Sequence, residues 1–171
     1  GIVRTKEWKT TSPSTTQKRR YVYDRTVPYA QLLQEWDNVG NKVMADYLYL
    51  DGDLIGFKDE RSGSVARYWI LKDGQNSVRK VVDTTGAVVA SYDYSAFGEV
   101  LEASKVQPSG WIFNHRAFGE VLDPNLGMTY LRARWMDPET GRFEGRDAFA
   151  GSQFDAKSLH RYTYAHLDPT N

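Results

Sequence analysis

The sequence contains no cysteine, which excludes a disulfide framework and any thiolate metal site. It has no excess of either charge. Lys and Arg total 22, as do Asp and Glu, so no bulk field draws the chain to nucleic acid or to an anionic membrane. No apolar run approaches the roughly 18–20 residues a membrane helix needs, and no signal peptide opens the chain. Neither nucleic-acid binding nor membrane insertion by this segment is expected. Helix signals are scarce: only residues 29–36 fit a helical reading, and the turn that follows leaves a strand equally open. His115, His160 and His166 lack metal-ligand spacing; the last two fall on one face of a strand without making a site. Asp51-Gly52-Asp53 lacks the remaining oxygen ligands of a calcium loop and reads as a turn. No metal and no cofactor are expected.

Aromatic residues are abundant. They make up 13% of the chain, with 11 tyrosines and 5 tryptophans, which suits flat rings packed on a pleated surface. At 171 residues the chain is one domain's worth, enough to bury roughly 70% of its unfolded surface. Gly1 in place of Met is consistent with a processed terminus, a tag scar or a fragment of a longer chain.

Repetition organises the rest. Paired tyrosines recur at Tyr21/Tyr23, Tyr47/Tyr49, Tyr92/Tyr94 and Tyr162/Tyr164. Between them lie Asp-to-Gly turns at residues 37–40, 59–63, 83–86 and 137–141. Gly40, Gly63 and Gly86 are 23 residues apart, and Gly119 and Gly141 are 22 apart. About twenty residues is the length of one hairpin, two strands plus two turns. Residues 78–82 and 87–92 predict an antiparallel pair across the 83–86 turn. Residues 47–50 and 54–57 flank Asp51-Gly52-Asp53, and residues 68–71 lead into a turn at 72–76. Residues 130–135 alternate large apolar and basic side chains, which predicts a half-buried strand with Arg132 and Arg134 sharing one solvated or paired face. Asp137-Pro138-Glu139-Thr140-Gly141 then reverses the chain, and Arg142-Phe143 starts the return strand. Gly-Glu-Val-Leu occurs at 98–101 and again at 119–122, a repeat read as turn plus strand.

The expected fold class is all-β, consecutive antiparallel hairpins forming part of a curved sheet. Residues 1–20, with the basic run Lys18-Arg19-Arg20, are read as an edge strand or a tether in which Lys and Arg block edge pairing. Residues 21–102 are read as hairpin repeats. Residues 103–110 form a loop, and residues 111–171 a denser module continuous with the same sheet.

These residues resemble the Rhs/YD-repeat family over nearly the whole chain. Residues 68–101 resemble its tyrosine–aspartate repeats, through Asp73-Gly74-Gln75-Asn76-Ser77-Val78-Arg79, Asp83-Thr84-Thr85-Gly86 and Tyr92-Asp93-Tyr94-Ser95-Ala96-Phe97-Gly98-Glu99. Residues 111–171 resemble its Rhs-associated core domain. The carriers are Phe113-Asn114-His115-Arg116, residues 127–135, residues 137–143, Arg146-Asp147 and Leu159-His160-Arg161-Tyr162-Thr163-Tyr164. Single repeats are weakly specific; the ordered set of core motifs is strongly so.

The resemblance implies a β-sheet ribbon wound into a hollow cocoon, the Rhs-type shell, which encloses a toxic C-terminal polypeptide. Its partners would be the rest of that shell and the enclosed polypeptide, or a second copy joined through sheet edges. The setting would be a secreted or delivered bacterial effector. The resemblance also implies an aspartyl-type self-cleavage carried by an Arg-Asp pair and a second acid. Arg146 and Asp147 match the pair, and Asp155 is the candidate second acid. Two nearby carboxylates push their pKa values apart, so one activates water while the other donates a proton; the bland alternative is a turn-capping ion pair. The family continues past Asp168-Pro169 to its scissile bond, so no turnover is expected from these 171 residues alone. The competing functional reading is an adhesion or glycan-binding module with the tyrosines as a stacking surface, although paired tyrosines beside Asp-Gly turns more often pack across strands.

Overall fold

The computed structural model describes residues 2–9, 16–165 and 168–169. Twelve strands are present among them: β1 (Ile2–Lys9), β2 (Thr16–Asp24), β3 (Gln31–Asp37), β4 (Lys42–Leu50), β5 (Asp53–Asp59), β6 (Ala66–Lys72), β7 (Val78–Asp83), β8 (Val88–Ser91), β9 (Val121–Asp123), β10 (Met128–Leu131), β11 (Arg134–Asp137) and β12 (Arg142–Phe143). The first eight form one sheet in strict chain order. The last four form a second sheet, in the order β12-β11-β10-β9. The fold is all-β, built from antiparallel hairpins and not closed into a barrel. Where one continuous sheet was expected, there are two, because residues 92–120 run mostly as loops closed by isolated bridges such as Tyr94–Val100 and His115–Val121.

Two compact units divide the chain, residues 1–70 with 82–87, and residues 71–81 with 88–171. In the first unit, register places Tyr21, Glu35, Ala45, Asp59 and Ala66 in one cross-strand row. Tyr47, Phe57 and Tyr68 form the adjacent row. Tyr47 and Phe57 have ring centroids 6.1 Å apart, and Phe57 stacks on Tyr68 at 5.0 Å. This face is buried at Glu35, Ala45, Tyr47, Phe57 and Asp59 and half-buried at Tyr21, Ala66 and Tyr68, and the tyrosines act as cross-strand packing. Glu35 accepts from the Tyr47 hydroxyl at 2.6 Å and from Arg19 at 3.4 Å. Burial raises the Glu35 pKa, against the opposing pull of Tyr47 and Arg19. Residues 29–36, left open between helix and strand, contribute β3.

The N-terminal basic run does not blunt an edge. It lies on β2, one strand in, where Lys18 pairs with Glu7 at 2.9 Å and Arg20 lies 4.5 Å over the Trp36 ring. The outermost strand is β1, and residues 10–15 lie outside the described residues.

The second unit is organised around Arg116. Its guanidinium is buried, donating to the carbonyls of Phe113 (2.6 Å) and His115 (2.9 Å) and to Gln107 (3.3 Å), and it lies 4.1 Å over the Tyr92 ring. His115 beside it is buried as well. Burial, then the Arg116 and Lys72 charges, lower its pKa to about 3.

A single local rule builds the turns. At Asp24, Asp37, Asp59, Asp73, Asp83, Asp123, Asp137, Asp147 and Asp155, one carboxylate oxygen accepts from the backbone N–H two residues on. Three loops, 73–77, 83–87 and 95–99, close with one pair of backbone bonds: the first N–H to the fifth carbonyl, and the fourth N–H to the first carbonyl. The fourth residue takes positive φ each time, as Asn76, Gly86 and Gly98. The loop at 116–120 closes the same way although Arg116 replaces the capping residue, with Phe118 as well as Gly119 at positive φ. The repeat noticed as Gly-Glu-Val-Leu extends one dipeptide further, since Ala96-Phe97 and Ala117-Phe118 precede the two copies. The two loops interlock: a Cβ on Gly98 would lie 2.5 Å from the Ala117 Cβ.

Candidate functional site

The three residues named for self-cleavage lie on the stretch that follows the second sheet, and its local structure starts at residue 130. The expected strand over 130–135 is instead a tight hairpin. Tyr130 faces Trp135 and Leu131 faces Arg134, with Ala133 N–H donating to Leu131 C=O at 2.6 Å across Arg132. Arg132 has φ +64, the positive-φ γ-turn that is rare and strained. The two arginines are therefore not on one strand. Arg132 pairs with Glu120 at 2.7 Å, while Arg134 reaches Asp147.

The turn at 137–141 forms as the residues dictate. Gly141 N–H donates to Asp137 C=O at 2.9 Å, the Asp137 side chain accepts from Glu139 N–H and Thr140 Oγ1, and Gly141 has φ +66. The return passes through β12, and residues 161–164 strap it from the other side. Phe143 N–H donates to Tyr162 C=O (2.7 Å), Asp147 N–H to Arg161 C=O (2.9 Å) and Tyr164 N–H to Gly141 C=O (3.0 Å). Tyr164 packs edge-on against Phe143 at 5.9 Å.

Both oxygens of Asp147 are engaged. Oδ1 accepts from Phe149 N–H at 2.9 Å, and Oδ2 meets the Arg134 guanidinium at 2.7 Å. That guanidinium lies 3.6 Å over the Phe143 ring and donates to Arg161 C=O at 3.3 Å. The sequence neighbour Arg146 is exposed, and no hydrogen bond or ion pair joins it to Asp147. Asp155 is also exposed. It accepts from Lys157 N–H at 3.1 Å and caps a single 3-10 turn, Ala156–Leu159, whose Ser158 hydroxyl donates to the Asp155 carbonyl at 2.7 Å. Asp147 and Asp155 thus each hold their own turn, and no hydrogen bond links the two carboxylates. What the arrangement provides is one carboxylate fixed at both oxygens beside a cation, and a second acid on a nearby loop in sequence.

The sequence placed Arg134 on a solvated or paired face and did not show that its partner is Asp147. The only signal was the near-palindrome Tyr-Leu-Arg-Ala-Arg-Trp, which with a two-residue connection brings Tyr130 onto Trp135, 4.9 Å between centroids. Of the histidines, His160 ends the 3-10 turn rather than lying on a strand, and His166 lies outside the described residues.

Comparison with known proteins gives concordant results. The Teneurin YD-shell family model matches residues 7–170. The tRNA3(Ser)-specific nuclease WapA of Bacillus spizizenii is 28% identical over 132 residues, covering 75% of this chain and 5% of that protein. Salivary gland surface protein 1 of Aedes aegypti is 36% identical over 102 residues, 60% of this chain and 3% of that protein. The crystal structure of TcdB2-TccC3-Cdc42 superposes with a TM-score of 0.70 at 15% identity, over 98% of this chain and 8% of that one. The chain therefore spans a small fraction of the relatives it matches, and at that identity the superposition speaks to fold alone.

Proposed function

The chain belongs to the teneurin YD-shell family, and from that membership we propose that it is a wall segment of an Rhs-type shell that encloses and delivers a C-terminal toxin polypeptide. One observation carries the reading: the family match runs over residues 7–170 of a chain whose eight-stranded sheet grows hairpin by hairpin in strict chain order. Such a sheet extends indefinitely by adding hairpins, as a wall must. The buried tyrosines support packing over glycan stacking, since Tyr47 and Tyr92 are among the core residues.

In the same reading Asp147 and Asp155 are the carboxylates of a self-cleaving centre between shell and cargo. Asp147, hydrogen-bonded and beside a guanidinium, takes a proton from water as the water oxygen bonds to the scissile carbonyl carbon. Asp155 gives a proton to the amide nitrogen as the C–N bond breaks. Arg146, exposed on the same loop, meets the carbonyl of the incoming chain.

The experiment uses the parent polypeptide with its flanking sequence. Added protease should leave the C-terminal segment intact in the folded shell and digest it after denaturation. The shell and cargo should separate on a denaturing gel in the wild type and stay joined in Asp147→Asn. Digestion of the segment in the folded parent would end the enclosure reading, and normal separation in Asp147→Asn would end the cleavage reading.

A further inference from the structure

We infer that Arg134 is a positioning residue for the carboxylate of Asp147, an inference that rests on the self-cleavage reading and deepens it. Asp147 is fixed at both oxygens, and the cation at one of them comes from β11, thirteen residues back, rather than from its neighbour Arg146. Three features make Arg134 a rigid support. Its guanidinium is held over the Phe143 ring at 3.6 Å, so its plane is set by stacking. The Arg161 carbonyl takes a second donor at 3.3 Å, and that carbonyl also accepts the Asp147 backbone N–H. The stem passes Gly145, where a Cβ would lie 3.9 Å from the Arg134 Cγ. The strained turn at Arg132 follows directly on Leu131, the last residue of β10, and this places Arg134 opposite Leu131 at the start of β11. One side chain thus ties the hairpin 128–137, β12 and the strap at residue 161 to the carboxylate. A carboxylate held in this way keeps one orientation toward a peptide carbonyl, and loss of orientation alone costs on the order of 10²-fold in rate.

The test measures shell–cargo separation in the intact parent. Arg134→Met retains the apolar stem over Phe143 and removes the guanidinium; separation should slow at least about tenfold while circular dichroism and melting show a folded shell. Arg134→Ala should be equally slow and should recover when guanidinium ion is added, a response that a purely structural defect would not give. Arg142→Gln, an exposed cation on the neighbouring strand, should separate at the wild-type rate. Full separation in Arg134→Met, or an Arg134→Ala defect untouched by guanidinium, overturns the inference while Asp147→Asn still blocks cleavage. Normal separation in Asp147→Asn overturns the cleavage reading instead, and the inference with it.

Discussion

At the scale of single residues, the positive-φ positions separate into those that are merely bent and those that are also crowded. Gly86 has φ +87 with nothing near where a Cβ would stand. Gly141 has φ +66 and would place a Cβ 2.7 Å from the Phe97 ring. Gly86→Ala should therefore cost only the left-handed penalty of about 1 kcal/mol, and Gly141→Ala that penalty plus roughly 1–3 kcal/mol of overpacking. Urea unfolding of the two variants checks the difference; equal losses would show that Phe97 yields freely. His115 gives a second expectation. Its folded pKa of about 3 lies below its unfolded value near 6.5, so the unfolded chain binds the extra proton. Stability is full above about pH 6.5 and falls as pH drops toward 3. Glu35 acts in the opposite sense, because its raised folded pKa lets the native chain keep a proton longer. Its share is present at low pH and is lost as pH rises through that raised value. Denaturation midpoints measured from pH 7 to pH 4 should fall less in His115→Gln than in the wild type; parallel curves would contradict the assignment.

At the scale of elements, legibility depended on whether a turn carried its own chemistry. Asp83-Thr84-Thr85-Gly86 and Asp137–Gly141 read correctly because the side-chain acceptor and the glycine that make the turn are both visible in sequence. The 37–40 turn was placed one residue short, since the left-handed residue is Asn41 rather than Gly40. The reversal at Arg132 had no such residues, and the alternation through it imitates a strand. The position of Arg116 was equally opaque: a buried guanidinium satisfied by carbonyls and an aromatic face depends on partners drawn from residues 92, 107 and 113, which no local pattern predicts. The candidate site followed the same division. Asp147 and Asp155 were named by resemblance, and both are turn-forming aspartates like seven others; the pairing of Arg134 with Asp147 was not legible. Among the described aspartates that hold such turns, Asp59 and Asp73 also bind an arginine. An arginine ion pair is thus a common accompaniment of these turns.

At the scale of the whole molecule, a sheet whose first strand joins it on one side only, among the described residues, offers an edge to which another strand can add. The isolated chain should self-associate, seen as concentration-dependent mass in sedimentation or light scattering. Adjacent residues of an edge strand point their N–H groups alternately outward and inward. Of Arg4→Pro and Thr5→Pro, the one that removes an outward N–H should leave the sheet intact and lower association. A monodisperse wild-type monomer would show that this margin is protected in another way.

Strict chain order in the eight-stranded sheet also bears on synthesis. Each inner strand there finds its partners in the strand just before it and the strand just after, as when β2 meets β1 at Tyr23–Ile2 and β3 at Arg19–Asp37. A nascent chain leaving the ribosome can therefore settle each hairpin onto the last with only short stretches waiting for a distant mate. Growth of this kind lays down a long wall in the direction of translation, so that residues emerging last meet a scaffold already standing.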